Sequence, residues 1–278
     1  IKAATLAAIG LLSFGNTGNA ETPLERGTYL MNSIVACGNC HTVQTPDGPL
    51  PGMELAGGME IPEPGAFTAR APNITPDPET GIGKWTDDEI ITAIREGRRP
   101  DGTLIGPPMP IGLYRGMSDT DVRAIVAYLR SVPPVVNKVA KSEYAIPLPP
   151  DYGPPVGSVP DVDPNDKVAY GAYLAGPAGH CTECHSAPGP NGAPDFENAL
   201  GAGGFQFHGP WGTSVSANIT PAGIGDWTDA QLKKVITTGE RPDGSRLLPP
   251  MGVYYYANIS DRDLDAIIAY LRSLKPIE

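Results

Sequence analysis

The chain is poor in most of what would mark a nucleic-acid binder, a membrane protein or a sheet protein. Its 20 Lys and Arg are outnumbered by 31 Asp and Glu, a formal charge of −11, whereas phosphate contacts need an excess of basic side chains. Past the first twenty residues no apolar run approaches the roughly 20 residues of a membrane span, and no alternating pattern long enough for a substantial strand appears. Cysteine and histidine number four each. Glycine and proline are abundant instead: 34 and 32 of 278 residues, roughly twice their ordinary share. Such a chain is neither a coiled coil nor an ordinary helical bundle. Disorder is the usual reading of this excess, but 40% hydrophobic residues and three Trp are enough for a core. The length allows one large domain or two small ones.

Residues 1–20 read as an export leader. Lys2 precedes the apolar stretch from Ala3 to Leu12, and Gly18 and Ala20 are small residues at the positions three and one before a cut ahead of Glu21. The expected mature chain is exported to the periplasm and has no transmembrane span. An uncleaved anchor and peripheral membrane association stay open.

The remainder says nearly the same thing twice. Cys37-Gly38-Asn39-Cys40-His41 returns as Cys181-Thr182-Glu183-Cys184-His185, 144 residues later. Asn73-Ile74-Thr75-Pro76 returns as Asn218-Ile219-Thr220-Pro221. Gly81 to Asp87 matches Gly223 to Asp229, Pro107-Pro108-Met109 matches Pro249-Pro250-Met251, and Ala127 to Ser131 matches Ala269 to Ser273, at a constant shift of 142. Two copies are too few for a solenoid, so each is a domain: residues 21–132 and 166–278. The stretch between them, 133–165, is rich in proline and reads as a semi-rigid extended linker that sets the spacing of the modules.

Each module is mainly α. A closing helix is expected from Ser118 or Ser260, with Val122, Ile125, Val126, Leu129 and Leu264, Ile267, Ile268, Leu271 forming one apolar stripe. A middle helix opens with a capping box at Thr86 and Glu89, or Thr228 and Gln231, and stops at Gly97 or Gly239. A first helix holds Tyr29 and Leu30, or Tyr173 and Leu174, and runs up to the Cys motif. Three short helices with long Gly/Pro-rich loops cannot fill their own interior, so something else belongs there.

All four Cys lie in the two Cys-x-x-Cys-His runs. A disulfide across two residues closes a tiny loop and constrains little. Zinc lacks a second Cys pair or a further His in sequence, and a thioredoxin-like pair lacks its strand-rich setting. The spacing suits covalent haem: Cys37 and Cys40, or Cys181 and Cys184, take the two vinyl groups, and His41 or His185 is the axial imidazole. Two haem c groups are therefore expected. Met109 and Met251, 68 and 66 residues after the histidines, are the candidate sixth ligands, held stiffly by Pro-Pro. Met31, Met53, Met59 and Met117 have no second-copy counterpart and read as packing, with Met53 or Met59 the substitutes at the first haem. His180 belongs at a haem rim, and His208 is an alternative ligand at the second. Trp85 and Trp227 are core residues or propionate donors. Asn73 and Asn218 are turn residues or haem-side donors, and Tyr128 and Tyr270 pack.

These motifs resemble the cytochrome c subunits of periplasmic alcohol, gluconate and aldehyde dehydrogenases. The resemblance rests on the Cys motifs, Asn73 to Asp77, Gly81 to Asp87, Asp101-Gly102, Pro108-Met109-Pro110, Met117-Ser118-Asp119 and their second-copy matches. It implies two tandem class I cytochrome c domains with His/Met ligation and an electron-transfer role without catalysis. The donor would be a periplasmic dehydrogenase and the acceptor a further cytochrome or oxidase. The rival is a dihaem redox enzyme, a peroxidase or thiosulfate-oxidising cytochrome, which would need one haem with a labile or unusual distal ligand.

Overall fold

The computed structural model describes residues 21–45, 48–190, 192–209 and 211–278; the expected leader lies outside the described residues. In module 1, α1 (Pro23–Asn32), α2 (Gly38–His41), α3 (Asp87–Glu96), α4 (Ile111–Tyr114) and α5 (Asp119–Ser131) follow in order. Module 2 repeats them as α6 (Lys167–Tyr173), α7 (Cys181–His185), α8 (Pro221–Ile224), α9 (Asp229–Thr238), α10 (Val253–Tyr256) and α11 (Asp261–Ser273), α8 being an added turn. The expected caps are present. Thr86 with Glu89 and Thr228 with Gln231 form reciprocal capping boxes, and Gly97 (φ 64°) and Gly239 (φ 70°) end the same helices in the left-handed region. Ser118 and Ser260 cap α5 and α11, and the apolar stripes of both helices are buried.

Each module is built on one helix crossing, α1 on α5 and α6 on α11. The crossing is too close for any side chain: a Cβ on Gly27 would lie 2.0 Å from the Ala124 carbonyl oxygen, and one on Gly171 1.9 Å from that of Ala266. On the outer side of each closing helix an arginine ties down the loop before the middle helix. Arg130 donates to the Trp85 carbonyl and pairs with Asp87, and Arg272 does the same to Trp227 and Asp229. Trp85 and Trp227 pack on the core, as do Tyr128 and Tyr270.

The structure departs from the sequence reading in three places. The first helix does not reach the Cys motif: α1 stops at Asn32, where the Ser33 hydroxyl turns back to the Tyr29 carbonyl at 2.6 Å, and Ala36 takes φ 47°. In module 2, α6 gives way to a π-helical turn, Leu174–Ala178, containing Pro177, which has no N–H for a regular helical bond. Second, the Gly/Pro-rich loops hold small sheets: β1 (Gln44–Thr45) with β2 (Gly48–Pro49), β3 (Glu60–Glu63) with β4 (Phe67–Arg70), and β6 (Gln206–Gly209) with β7 (Gly212–Val215), all antiparallel. Strands of two to four residues are too short to leave an alternating pattern.

Third, the Pro-rich connection is a strap along module 1 rather than a spacer. Its β5 (Glu143–Tyr144) pairs antiparallel with β4, Phe67 opposite Tyr144. Further along, the Val156 amide donates to Glu96, the Ser158 hydroxyl donates to Asp119, and the Asp119 amide donates to the Val159 carbonyl. An extended chain leaves its polar main-chain groups unpaired within itself, and this one spends them on its neighbour.

The modules meet directly through a pseudo-twofold exchange. The Tyr29 hydroxyl donates to Asp263 at 2.7 Å and accepts the Ser260 amide; the Tyr173 hydroxyl donates to Asp121 at 2.6 Å and accepts the Ser118 amide. Each first helix thus caps the closing helix of the other module. The exchange is not fully symmetric, because Arg26 adds two bonds to Asp121 and its counterpart in module 2 is Tyr170.

Candidate haem centres

Both Cys-x-x-Cys-His runs coil into a short helix. Cys37 is the N-cap of α2, and His180, at φ 41°, is the N-cap of α7. One helical turn separates the two thiols of each pair, and the imidazole follows at once. All four thiols are free. Burial pushes them up, Cys37 to about 12, Cys40 and Cys181 to about 11, and Cys184 higher still. Among the described residues no group of three or more His, Cys, Asp or Glu could hold a metal ion, so neither pair acquires the further donors that tetrahedral zinc requires.

The histidines are oriented in the same way twice. His41 Nδ1 lies 2.8 Å from the Pro72 carbonyl oxygen and His185 Nδ1 2.7 Å from that of Ala217. A carbonyl only accepts, so Nδ1 carries the hydrogen and Nε2 keeps a lone pair for a metal. Burial lowers the pKa of both rings, against a smaller opposing pull from the carbonyls, and so favours the neutral form that coordinates. The next residues, Asn73 and Asn218, fix these carbonyls. Asn73 Oδ1 accepts from the Thr75 amide while its Nδ2 donates to the Val135 carbonyl at 2.7 Å; Asn218 does the same with Thr220 and with Ile277, also at 2.7 Å. Turn chemistry is what these asparagines perform, and the turn presents the carbonyl to the imidazole. A half-buried thiol pair followed by an imidazole with a locked tautomer is a donor set that fits covalent haem.

Met109 and Met251 lie half-buried against the core, just before α4 and α10, and their carbonyls accept from Ile111 at 2.8 Å and Val253 at 2.9 Å. The Pro-Pro bond preceding each is cis. Met31 and Met117 are core residues, 2% and 1% exposed, while Met53 and Met59 sit in half-buried loop positions. His208 is exposed on β6, with Nδ1 3.1 Å from the Thr213 hydroxyl. His180 stands edge-on to the Tyr114 ring, centroids 5.9 Å apart.

Three residues that the motifs did not single out are neighbours of the cysteines. Tyr114 and Tyr256 end α4 and α10, both buried. Burial raises the Tyr114 hydroxyl first, with Cys37, Glu183, Cys40 and Tyr256 adding to it; for Tyr256 the neighbours are Cys181, Cys184 and Cys40. Burial also holds the Glu183 carboxyl up to about 8. Burial is the main cause of the rise at Cys184, with Glu183, Cys181 and, from the other module, Cys40 adding to it. The common shift of 142 between the two tyrosines was the available signal.

The cytochrome c family model matches residues 24–133 and again 168–275. The chain belongs to the cytochrome c family, with two domains, and carries two covalently bound haem c groups. A dihaem cytochrome c-type protein of Cereibacter sphaeroides is 30% identical over 255 residues, covering 87% of this chain and 83% of that protein. The cytochrome c subunit of the quinone alcohol dehydrogenase of Gluconobacter oxydans is 33% identical over 299 residues, which is 98% of this chain and 60% of that subunit. The fructose dehydrogenase cytochrome subunit of Gluconobacter japonicus is 31% identical, over 90% of this chain and 52% of its own length. The chain spans between half and two thirds of these dehydrogenase subunits. The expected resemblance holds, and electron transfer by a dihaem cytochrome is the role it supports.

Proposed function

We propose that this chain is an exported, periplasmic electron relay that accepts electrons singly from a dehydrogenase and passes them to a further cytochrome or oxidase. The observation that carries the reading is the duplicated imidazole lock, Nδ1 to a main-chain carbonyl immediately after a free Cys pair. In this reading Cys37 and Cys40, and Cys181 and Cys184, form the thioether links, while His41 and His185 coordinate through Nε2. Met109 and Met251 are the sixth ligands. Bound haem supplies a reversible one-electron couple. The protein's part would be to supply an imidazole and a thioether to each iron, which would leave no place for a substrate. The sequence of the relatives supports a dehydrogenase as donor, and the acidic surface favours a partner with a basic docking face.

The test is haem stoichiometry with ligand assignment. Two haems per chain should stay with the polypeptide in acid acetone. Met109→Ala and Met251→Ala should each remove the weak sulfur-to-iron absorption band at one haem and lower the potential of that haem. Rapid turnover of peroxide or thiosulfate by the purified protein would defeat the relay.

A further inference from the structure

The loops that carry the two methionines have little means of holding themselves. Pro249 and Pro250 have no N–H, so this stretch offers carbonyls and no donors, and an outside donor must bind it. In module 2 that donor comes from the other module. Asn39, inside the Cys37-x-x-Cys40 motif, donates from Nδ2 to the Pro250 carbonyl at 3.0 Å, one residue before Met251. On the far side of Met251, a Cβ on Gly252 would sit 3.6 Å from Asn39 Cγ, so the amide bears on the chain both before and after the methionine. The neighbouring Gly38 extends the contact: a Cβ there would fall 2.1 Å from the Tyr255 hydroxyl, so α10 is seated directly on the backbone of α2. The arrangement is one-sided. Glu183, which occupies the place of Asn39 in the second motif, turns to His180 Nδ1 at 3.5 Å.

We propose that Asn39 is a positioning residue for Met251, so that the attachment motif of the first centre sets how firmly the methionine of the second centre is held. The inference rests on the reading of Met251 as an axial ligand. The bond is partly buried, across a module boundary, and its acceptor belongs to a proline pair with no main-chain donor to offer in exchange. Losing it frees the Met251 loop to swing outward on α10, while Met109 and its loop, which Asn39 does not touch, stay as they are.

The experiment uses the full-length, haem-loaded protein, with Met109→Ala and Met251→Ala marking which spectral band and which potential belong to which haem. Asn39→Asp keeps the shape and removes the donor; Asn39→Ala removes both. With haem content unchanged at two per chain, each variant should bind imidazole about tenfold more tightly at the ferric haem marked by Met251→Ala, the equivalent of one hydrogen bond. The sulfur-to-iron band and the potential of that haem should fall, and those of the other should not move. Gly252→Val approaches the same contact from module 2 and should couple non-additively with Asn39→Ala. If Met251→Ala leaves both bands intact, the ligand reading falls and takes the inference with it. If Met251→Ala removes one band while the Asn39 variants match the parent, or disturb the first haem, the positioning role alone is overturned.

Discussion

The two modules share a core and differ in what covers it. Both cross their helices at a glycine, cap their middle helices with the same box and lock their imidazoles with the same carbonyl turn. The methionine loops are treated differently. In module 1 the strap lies over the loop: the Tyr144 hydroxyl donates to the Pro107 carbonyl at 3.0 Å and the Tyr152 hydroxyl to the Ile105 carbonyl at 2.7 Å. Module 2 has no such cover among the described residues, and Leu248 and Tyr254 flank Met251 at 45% and 66% exposure. Duplication preserves the immediate surroundings of each Cys-x-x-Cys-His run. It leaves the outer support of each methionine loop to whatever chain lies nearby, the strap in one case and the partner module in the other.

The largest effect tests the shared part. Leucine at Gly27 or at Gly171 places a side chain on a main-chain oxygen of the closing helix, and a helix crossing cannot absorb a contact near 2 Å by rotamer change. Each should cost about 3 kcal/mol or more, read as a drop in the guanidinium midpoint of the haem-loaded protein. Because the two contacts are almost equal, 2.0 and 1.9 Å, the losses should be alike. A variant with an unchanged midpoint, or a large inequality between the two, would show that the modules do not depend on the same crossing.

Much of the shared part was legible in the sequence because it is local. A capping box, a glycine stop and a stripe at helical spacing lie within a dozen residues of one another, and the Cys motif declares its own geometry. The end of α1 was not legible, since it depends on one serine hydroxyl turning back to a carbonyl four residues earlier. The strap was misjudged because proline sets the extended shape of a chain without saying what it lies against. Tyr144 and Tyr152 carry that information, but their partners are 37 and 47 residues away. The exchange of Tyr29 and Tyr173 between modules is harder still, joining residues 234 and 52 positions apart. Asn39 is an unspecified position of its motif, so nothing in the motif marks it.

The next effect tests the difference in cover. Tyr144→Phe with Tyr152→Phe removes two hydroxyl donors from the Met109 loop and leaves the rings in place. Together the bonds contribute about 1 to 2 kcal/mol, so imidazole affinity should rise about tenfold at the haem marked by Met109→Ala and stay level at the other. This is the mirror image of the outcome expected for Asn39. Equal shifts at both haems would mean that the strap acts on the whole molecule and not on one methionine loop.

The smallest effect concerns how the strap is fastened. Asp119 accepts the Ser158 hydroxyl at 2.7 Å and the Arg95 guanidinium at 2.7 Å. These partners, Ser158 foremost, with the Val159 main chain in addition, lower its pKa from 3.8 to about 2. A carboxylate whose pKa is lowered by folding stabilises the folded form above its unfolded pKa, and that contribution is lost as the pH falls toward the folded value. The strap should therefore loosen between about pH 4 and pH 2 and be indifferent to pH above that window. Pepsin, which works in this range, should cut between residues 150 and 160 increasingly quickly as the pH falls through it, once its own pH dependence is removed with an unstructured peptide. Asp119→Asn should raise the cutting rate at pH 4 and flatten the remaining dependence, because the amide cannot ionise. A wild-type rate that does not change across the window, or one that changes in parallel in Asp119→Asn, would place the fastening elsewhere, with the Tyr144 and Tyr152 hydroxyls the next groups to examine.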